Sequence, residues 1–272
     1  MTHSNSKRII AYCHIGKVGG KRLQFYLRSH FGMSYRCVAR AKGVTYSRQE
    51  LESDLRWNPT IKYLGGHSVR PHVDYGPTSQ RLAWFSFFRD PLSRILSHYY
   101  QQTVLGNFKV NGLVDWLTRY PNRAYWQISM IAGEKNLAKA KDIIASDYSF
   151  VGLNEHYEQS LFLFANHFGL SNFKFVDGRE LAKPKKSSQY ESIQEDFEAN
   201  RDDIVAMLAE EIEFYNFVTT IYQRQCEKYG PSLSEDLASY FKNTPPPHRY
   251  NFSNLIATSM DRLFWRTKSR FA

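Results

Sequence analysis

Along this chain, short apolar runs alternate with longer segments whose apolar residues recur every three or four positions. Residues 8–13 and Leu82–Phe88 are almost wholly apolar, without a polar face, as expected of strands buried on both sides of a parallel sheet. Ile61–Leu64 reads as a short strand ending at Gly65-Gly66-His67, and Tyr148–Gly152 and Asn172–Val176 as two more. Helical spacing marks residues 19–31, with Leu23, Tyr26, Leu27 and His30 on one face. After Asp90-Pro91, which favours a first helical turn, Leu92, Ile95, Leu96, Tyr99 and Tyr100 make a second face. Residues 112–119, 123–132, Lys135–Ala145 and Glu155–Phe168 follow as helices. Arg201–Tyr229 carries the longest stripe, Ile204, Leu208, Ile212, Tyr215, Val218 and Tyr222. Residues 36–60 are mixed, and 183–200 are polar and lysine-rich at the start, so a loop is expected there.

This order of elements predicts an α/β fold with a central, mainly parallel sheet flanked by helices. At 272 residues the chain is long enough for one large domain. Composition shifts after Gly230-Pro231, and Pro245-Pro246-Pro247 separates two short segments. The expected division is residues 1–230 as the main domain and 231–272 as a C-terminal helical or irregular appendage. No repeat at solenoid periods is present.

Charge narrows the choice of ligand. A net charge of +10 favours an anionic cofactor, an acidic polymer or an acidic membrane surface. Nucleic acid is not expected, because there is no zinc-finger spacing, no aromatic-and-glycine RNA motif and no long Lys/Arg stripe. Cys13, Cys37 and Cys226 are odd in number and widely spaced, which suits a reducing compartment and neither a disulfide framework nor a metal site. No signal-like stretch and no run of about 18 apolar residues is found, so a soluble, cytoplasmic protein is expected.

Two segments carry candidate chemistry. Gly16-Lys17-Val18-Gly19-Gly20-Lys21 follows the first strand and opens the first helix. Its glycines let backbone amides approach an oxyanion, its lysines bring charge, and the helix offers its N-terminus. It departs from the nucleotide-binding pattern GxxxxGK[ST]: Ile15 replaces the first glycine and Arg22 the hydroxyl that holds Mg²⁺. In the second segment, Arg89 ends a buried strand and Ser97 lies two helical turns on, a donor fork and a hydroxyl suited to a phosphate. The plain alternative is that Asp90 caps the helix and Arg89 pairs with an acid.

Together, in this order, the two segments resemble those of the PAPS-dependent sulfotransferases (PAPS, 3′-phosphoadenosine-5′-phosphosulfate), most nearly the carbohydrate O-sulfotransferases that modify glycosaminoglycans. His14 through Arg22 is similar to the family's 5′-phosphosulfate loop, His-Ile-Pro-Lys-Thr-Gly-Gly-Thr-Ser, with Gly16 for Pro, Val18 for the first Thr, and Lys21-Arg22 for Thr-Ser. Arg89 through Tyr99 matches the 3′-phosphate motif Arg-Asp-Pro-x-x-Arg-x-x-Ser-x-Tyr at every stated position. Val151-Gly152-Leu153-Asn154-Glu155 resembles a later hydrophobic-Gly-x-x-Glu block, and Glu213-Phe214-Tyr215 the closing acidic helix.

The resemblance implies a P-loop-like three-layer fold and in-line sulfuryl transfer from PAPS to a hydroxyl, without a metal and with PAP as the product. It implies Lys17 as the catalytic lysine and Lys17, Val18, Gly19, Gly20, Lys21, Arg22, Arg89 and Ser97 as cofactor-binding residues. A base is expected between the two motifs, where His67 stands; an imidazole near pKa 6.5 suits proton removal from a hydroxyl. His72 is the reserve. Lys183-Pro184-Lys185-Lys186 falls where related enzymes bring a basic loop over the cofactor, and Trp126 is a candidate to stack on adenine. Arg40, Lys42, Tyr46, Arg48, Trp57 and Arg70 are candidates to recognise an anionic sugar chain. The implied acceptor is a carbohydrate or glycoconjugate hydroxyl. Two alternatives stay open: a P-loop kinase or nucleotide hydrolase, and a non-catalytic nucleotide-binding protein of the same fold.

Overall fold

The computed structural model describes residues 8–38, 44–106, 108–175 and 188–243. Five strands form one sheet in the order β2-β3-β1-β4-β5. They are β1 (Ile9–Cys13), β2 (Tyr35–Cys37), β3 (Tyr63–Gly66), β4 (Leu82–Phe88) and β5 (Tyr148–Leu153), and every pairing is parallel. All residues of β1 and β4 are buried, which is why neither shows polar alternation.

The chain runs from β1 out to the β2 edge and back through β3 to β4, so β1 is flanked by β3 and β4. This is a topological switch point, and ligands of open parallel sheets bind at the carboxyl ends of strands there. Register aligns Cys13 with Gly66 and Tyr12 with Phe85. The turns after β1, β3 and β4 therefore leave the sheet side by side.

Helices are interleaved with the strands or follow them: α1 (Gly20–Phe31), α2 (Arg48–Trp57), α3 (Pro91–Thr103), α4 (Gly112–Arg119), α5 (Trp126–Ala132), α6 (Leu137–Asp147) and α7 (Tyr157–His167). Beyond them lie α8 (Ser188–Ala199), α9 (Arg201–Met207), α10 (Ala209–Tyr229) and α11 (Leu233–Asn243). A main core surrounds the sheet, and Leu237, Tyr240 and Phe241 of α11 pack against it. A smaller core joins α3, α4, α8 and α9 through Ile95, Tyr99, Trp116, Ile193, Phe197 and Ile204. Among the described residues no helix is long and apolar enough to cross a membrane.

Three expectations change. The segment at Asn172 is not a strand over its described residues, 172–175. Phe173 and Phe175 are buried, but the Tyr240 hydroxyl donates to Phe173 O at 2.9 Å and accepts from Phe175 N at 3.0 Å. The edge of β5 is meanwhile taken by the Gln225 amide, which bonds both Val151 N (3.0 Å) and Val151 O (2.7 Å). Residues 188–199 are helical rather than loop, because Ile193 and Phe197, four apart, anchor an otherwise polar helix in the smaller core. The long helix from Arg201 breaks at Leu208, where α9 serves the smaller core and α10 sends Phe214, Val218 and Tyr222 into the main one. Arg40, Lys42, the Lys183–Lys186 run and Pro245–Pro247 lie outside the described residues.

Candidate functional site

The turn after β1 is shaped by residues that have no room for side chains. Gly19 has φ 81°, and a Cβ there would fall 2.8 Å from the Tyr157 ring. A Cβ on Gly20 would fall 1.8 Å from His14 Nε2. Lys17 has φ 72°, the one non-glycine in the left-handed region among the described residues, a conformation that costs roughly 1 kcal/mol. Tyr157 donates its hydroxyl to Gly19 O at 3.1 Å and pins the loop from behind. Helix α1 starts at Gly20 with no side-chain cap, so its leading amides lack a side-chain acceptor.

The turn after β4 meets this loop. Asp90 caps α3 by accepting from Ser93 N at 2.7 Å, and Pro91 fills the first helical position. Arg89 pairs with no acid among the described residues. Its Nη1 donates to Lys17 O at 3.2 Å, which ties the two turns together, and its Nε is buried without a partner among the described residues. Ser97, His98 and Gln101 of α3 face the same opening.

A third turn brings His67. Its Nδ1 lies 2.8 Å from His14 O; a carbonyl only accepts, so Nδ1 carries the proton and Nε2 keeps its lone pair. The His14 and His67 rings stack at 4.0 Å, and Gln24 Nε2 donates to His14 Nδ1 at 3.0 Å. Burial lowers the His67 pKa; its bond to His14 O opposes this, and nearby Arg70 adds to it. Burial, then His67, pushes His14 down to about 3, so this pair is neutral at pH 7.

These turns surround one cleft of about 480 Å³, lined by His14, Gly16, Lys17, Gly19, Gly20, Lys21, Arg22, His67, Arg89, Ser97, His98, Gln101, Trp126 and Asn154. Four cations line it. Arg22 is held by Glu158 at 3.0 Å and lies over the Tyr157 ring. Lys17, Lys21 and Arg89 have no salt-bridge carboxylate among the described residues. The Lys17 pKa is lowered by burial first, then by Arg89 and Lys21, a mutual repulsion that an anion would relieve. Three adjoining turns thus offer charge, uncapped helix amides and a neutral imidazole to one ligand.

Of the residues singled out in the sequence, Lys17, Gly19, Gly20, Lys21, Arg22, His67, Arg89 and Ser97 all line the cleft, as does Trp126. Val18 belongs to the same turn, but its side chain is fully buried in the core. His72 does not reach the cleft; its Nδ1 bonds Ile131 O at 3.2 Å. Tyr46 is not a surface residue for a sugar: its buried hydroxyl donates to Asp54 at 2.6 Å, and Arg36 pairs with the same carboxylate. Arg70 donates to the backbone carbonyl and sulfur of Met130. Glu155 accepts from Asp90 N at 3.1 Å and from the Tyr215 hydroxyl at 2.7 Å, so the two later sequence blocks buttress the second turn.

His14, His98, Gln101 and Asn154 also line the cleft, although sequence reasoning gave them no chemistry. Their signals were present: Ser97 and Gln101 are four apart on one helix, His98 follows Ser97, and Asn154 follows β5 at the same sheet edge.

No family model matches the chain, and no curated protein matches it. Among solved structures, the chain is similar to a sulfotransferase from Alicyclobacillus acidocaldarius, at 16% identity and a TM-score of 0.41, covering 76% of this chain and 96% of that one.

Proposed function

We propose that this chain is a sulfotransferase that moves the sulfuryl group of PAPS to a hydroxyl of a carbohydrate-type acceptor. One observation carries the reading: Arg89 of the second motif hydrogen-bonds the Lys17 carbonyl of the first, at a cleft that His67 also lines. The cleft suits a ligand with two separated phosphate-like groups, given three cations without carboxylates and a buried Arg89 Nε without a partner among the described residues.

PAPS, when bound, would supply the sulfuryl group, with PAP as the leaving group. Arg89 and Ser97 would hold its 3′-phosphate. Lys17, Lys21, Arg22 and the amides of Val18, Gly19 and Gly20 would hold its 5′ end. Lys17 brings positive charge to the side where negative charge builds, the electrostatic help that group transfer between oxygens needs. His67 Nε2 takes the proton from the acceptor hydroxyl, and the bond from Nδ1 to His14 O fixes the ring in that tautomer. Burial first, and then the nearby Arg70, keep the imidazole neutral and ready to accept.

Calorimetric titration with PAP, without added metal, tests the reading. Binding by the intact protein that is strongly weakened, but still measurable, in Arg89→Ala is expected. A folded protein that binds no PAP would sink it. Where PAP binds, turnover on hydroxyl acceptors that disappears in His67→Ala identifies the base.

A further inference from the structure

Arg89 is the first residue beyond β4. Asn154 N still bonds Phe88 O at 2.8 Å, but Arg89 has no ladder partner. Its backbone N–H and C=O therefore need partners elsewhere. One side chain supplies both: Gln127 Oε1 accepts from Arg89 N at 3.1 Å, and Gln127 Nε2 donates to Arg89 O at 2.9 Å. Gln127 is fully buried on α5 and does not line the cleft, so it has no contact of its own to offer a ligand there.

Gln127 is held in turn. Glu211 of α10, also fully buried, accepts from Gln127 N at 2.7 Å and from Ile128 N at 3.2 Å. Arg94 Nε of α3 lies 3.8 Å from the same carboxylate, with both side chains fully buried. Burial pushes the Glu211 carboxyl up to about 7, while Arg94 and the two amides pull it down. A buried carboxylate is a costly way to cap a short helix that Ser or Asn would cap more cheaply. What it adds is a fixed point on the long α10 helix from which α5 is aimed. Trp126, the first residue of α5, lines the cleft next to this anchor.

We propose that Glu211 and Gln127 form a positioning strut that sets the direction of Arg89 and, through the bond from Arg89 Nη1 to Lys17 O, the strained Lys17 peptide. This rests on the anion-binding reading above. Neither strut residue touches the ligand. Each acts on binding through residue 89.

A double-mutant cycle separates this role from a general loss of stability, because coupling appears only between residues that act on each other. Gln127→Met keeps the size and removes both bonds to Arg89. Calorimetry is expected to show PAP binding weakened about tenfold by Gln127→Met in the otherwise intact protein, and hardly changed by it in the Arg89→Ala background. Equal losses in both backgrounds, or none in either, would overturn the strut. Glu211→Gln places an amide NH₂ against the α5 amides and is expected to weaken PAP without adding to Gln127→Met. Additive losses count against the strut. Hydrogen exchange read by NMR gives a second measure that needs no ligand. The Arg89 amide is expected to exchange faster in Gln127→Met while β1 amides keep their protection. Unchanged Arg89 protection overturns the strut. Failure of the intact protein to bind PAP overturns the sulfotransferase reading instead, and the exchange measurement then judges the strut alone.

Discussion

His67 and His14 stack on each other, and a fall in pH acts on rate through the first and on stability through the second. His67 must be neutral at Nε2 to accept a proton, and burial holds its pKa below 6.5. Under the proposed function, kcat/KM falls as pH drops through a midpoint below 6.5 and is level above it, because that limb reports the free enzyme's base. His67→Gln is expected to lose about 10²–10⁴ in rate and, with it, the limb. A limb unchanged in His67→Gln would assign the proton transfer elsewhere. His14 affects stability instead. Its folded pKa is about 3, against an unfolded value near 6.5, so between these values the unfolded chain binds more protons. Its contribution is fully present above pH 6.5 and lost as pH falls toward 3, with a slope of up to about 1.4 kcal/mol per pH unit. His14→Asn keeps an acceptor for Gln24 and removes the titration. Urea midpoints between pH 4 and 7 should therefore vary less in the variant than in the parent, and equal slopes would show that His14 is not the group responsible.

At the scale of elements, one side-chain hydroxyl does the work that a neighbouring strand would otherwise do. Tyr240 bonds both Phe173 O and Phe175 N, so Tyr240→Phe leaves two backbone groups short of a partner while keeping the ring that stacks on Phe175 at 4.5 Å. The expected cost is about 1–3 kcal/mol in urea unfolding, with PAP affinity unchanged because the site lies at the other end of α1. A neutral substitution would mean that water replaces the hydroxyl. This contact also explains why the segment resembles a strand in sequence. Phe173 and Phe175 alternate with Asn172 and Lys174, and a period of two records burial on one side, not whether a ladder partner exists. The buried strands β1 and β4 were legible because an unbroken apolar run has few other uses. Helix α8 was not, since two anchors in a polar segment resemble a loop until a second core gives them something to bury against. The break at Leu208 was hidden for a related reason: the stripe from Ile204 to Tyr222 is continuous, but its two ends face different cores. The capping box of α2, Ser47 with Glu50, was readable from the sequence and stood within a stretch read only as mixed.

At the scale of the whole molecule, the site exists because three turns distant in sequence leave one sheet edge together. The residues near Lys17 and Arg89 were legible as separate anion turns, since glycine, cations and a helix start have a local logic. The tie between Arg89 and Lys17, 72 residues apart, and the buried Glu211–Gln127 pair are products of topology and carry no local pattern. The net charge of +10 acts at this scale too. PAP affinity should fall several-fold as salt rises from 50 to 300 mM, while the urea midpoint barely moves, since partly exposed cations are screened within about 10 Å and the apolar core is not. Metal dependence then separates the remaining nucleotide-binding alternatives. A phosphate loop that works with Mg²⁺ uses a hydroxyl directly after its lysine, and here that position is Arg22, whose guanidinium is bound to Glu158 and covers Tyr157. PAP binding is therefore expected to be the same in EDTA as in millimolar Mg²⁺, and ATP with Mg²⁺ should bind more weakly than PAP. Tight binding of ATP that requires Mg²⁺ would instead make this a kinase or hydrolase, and Arg22→Ser would then be expected to strengthen that binding.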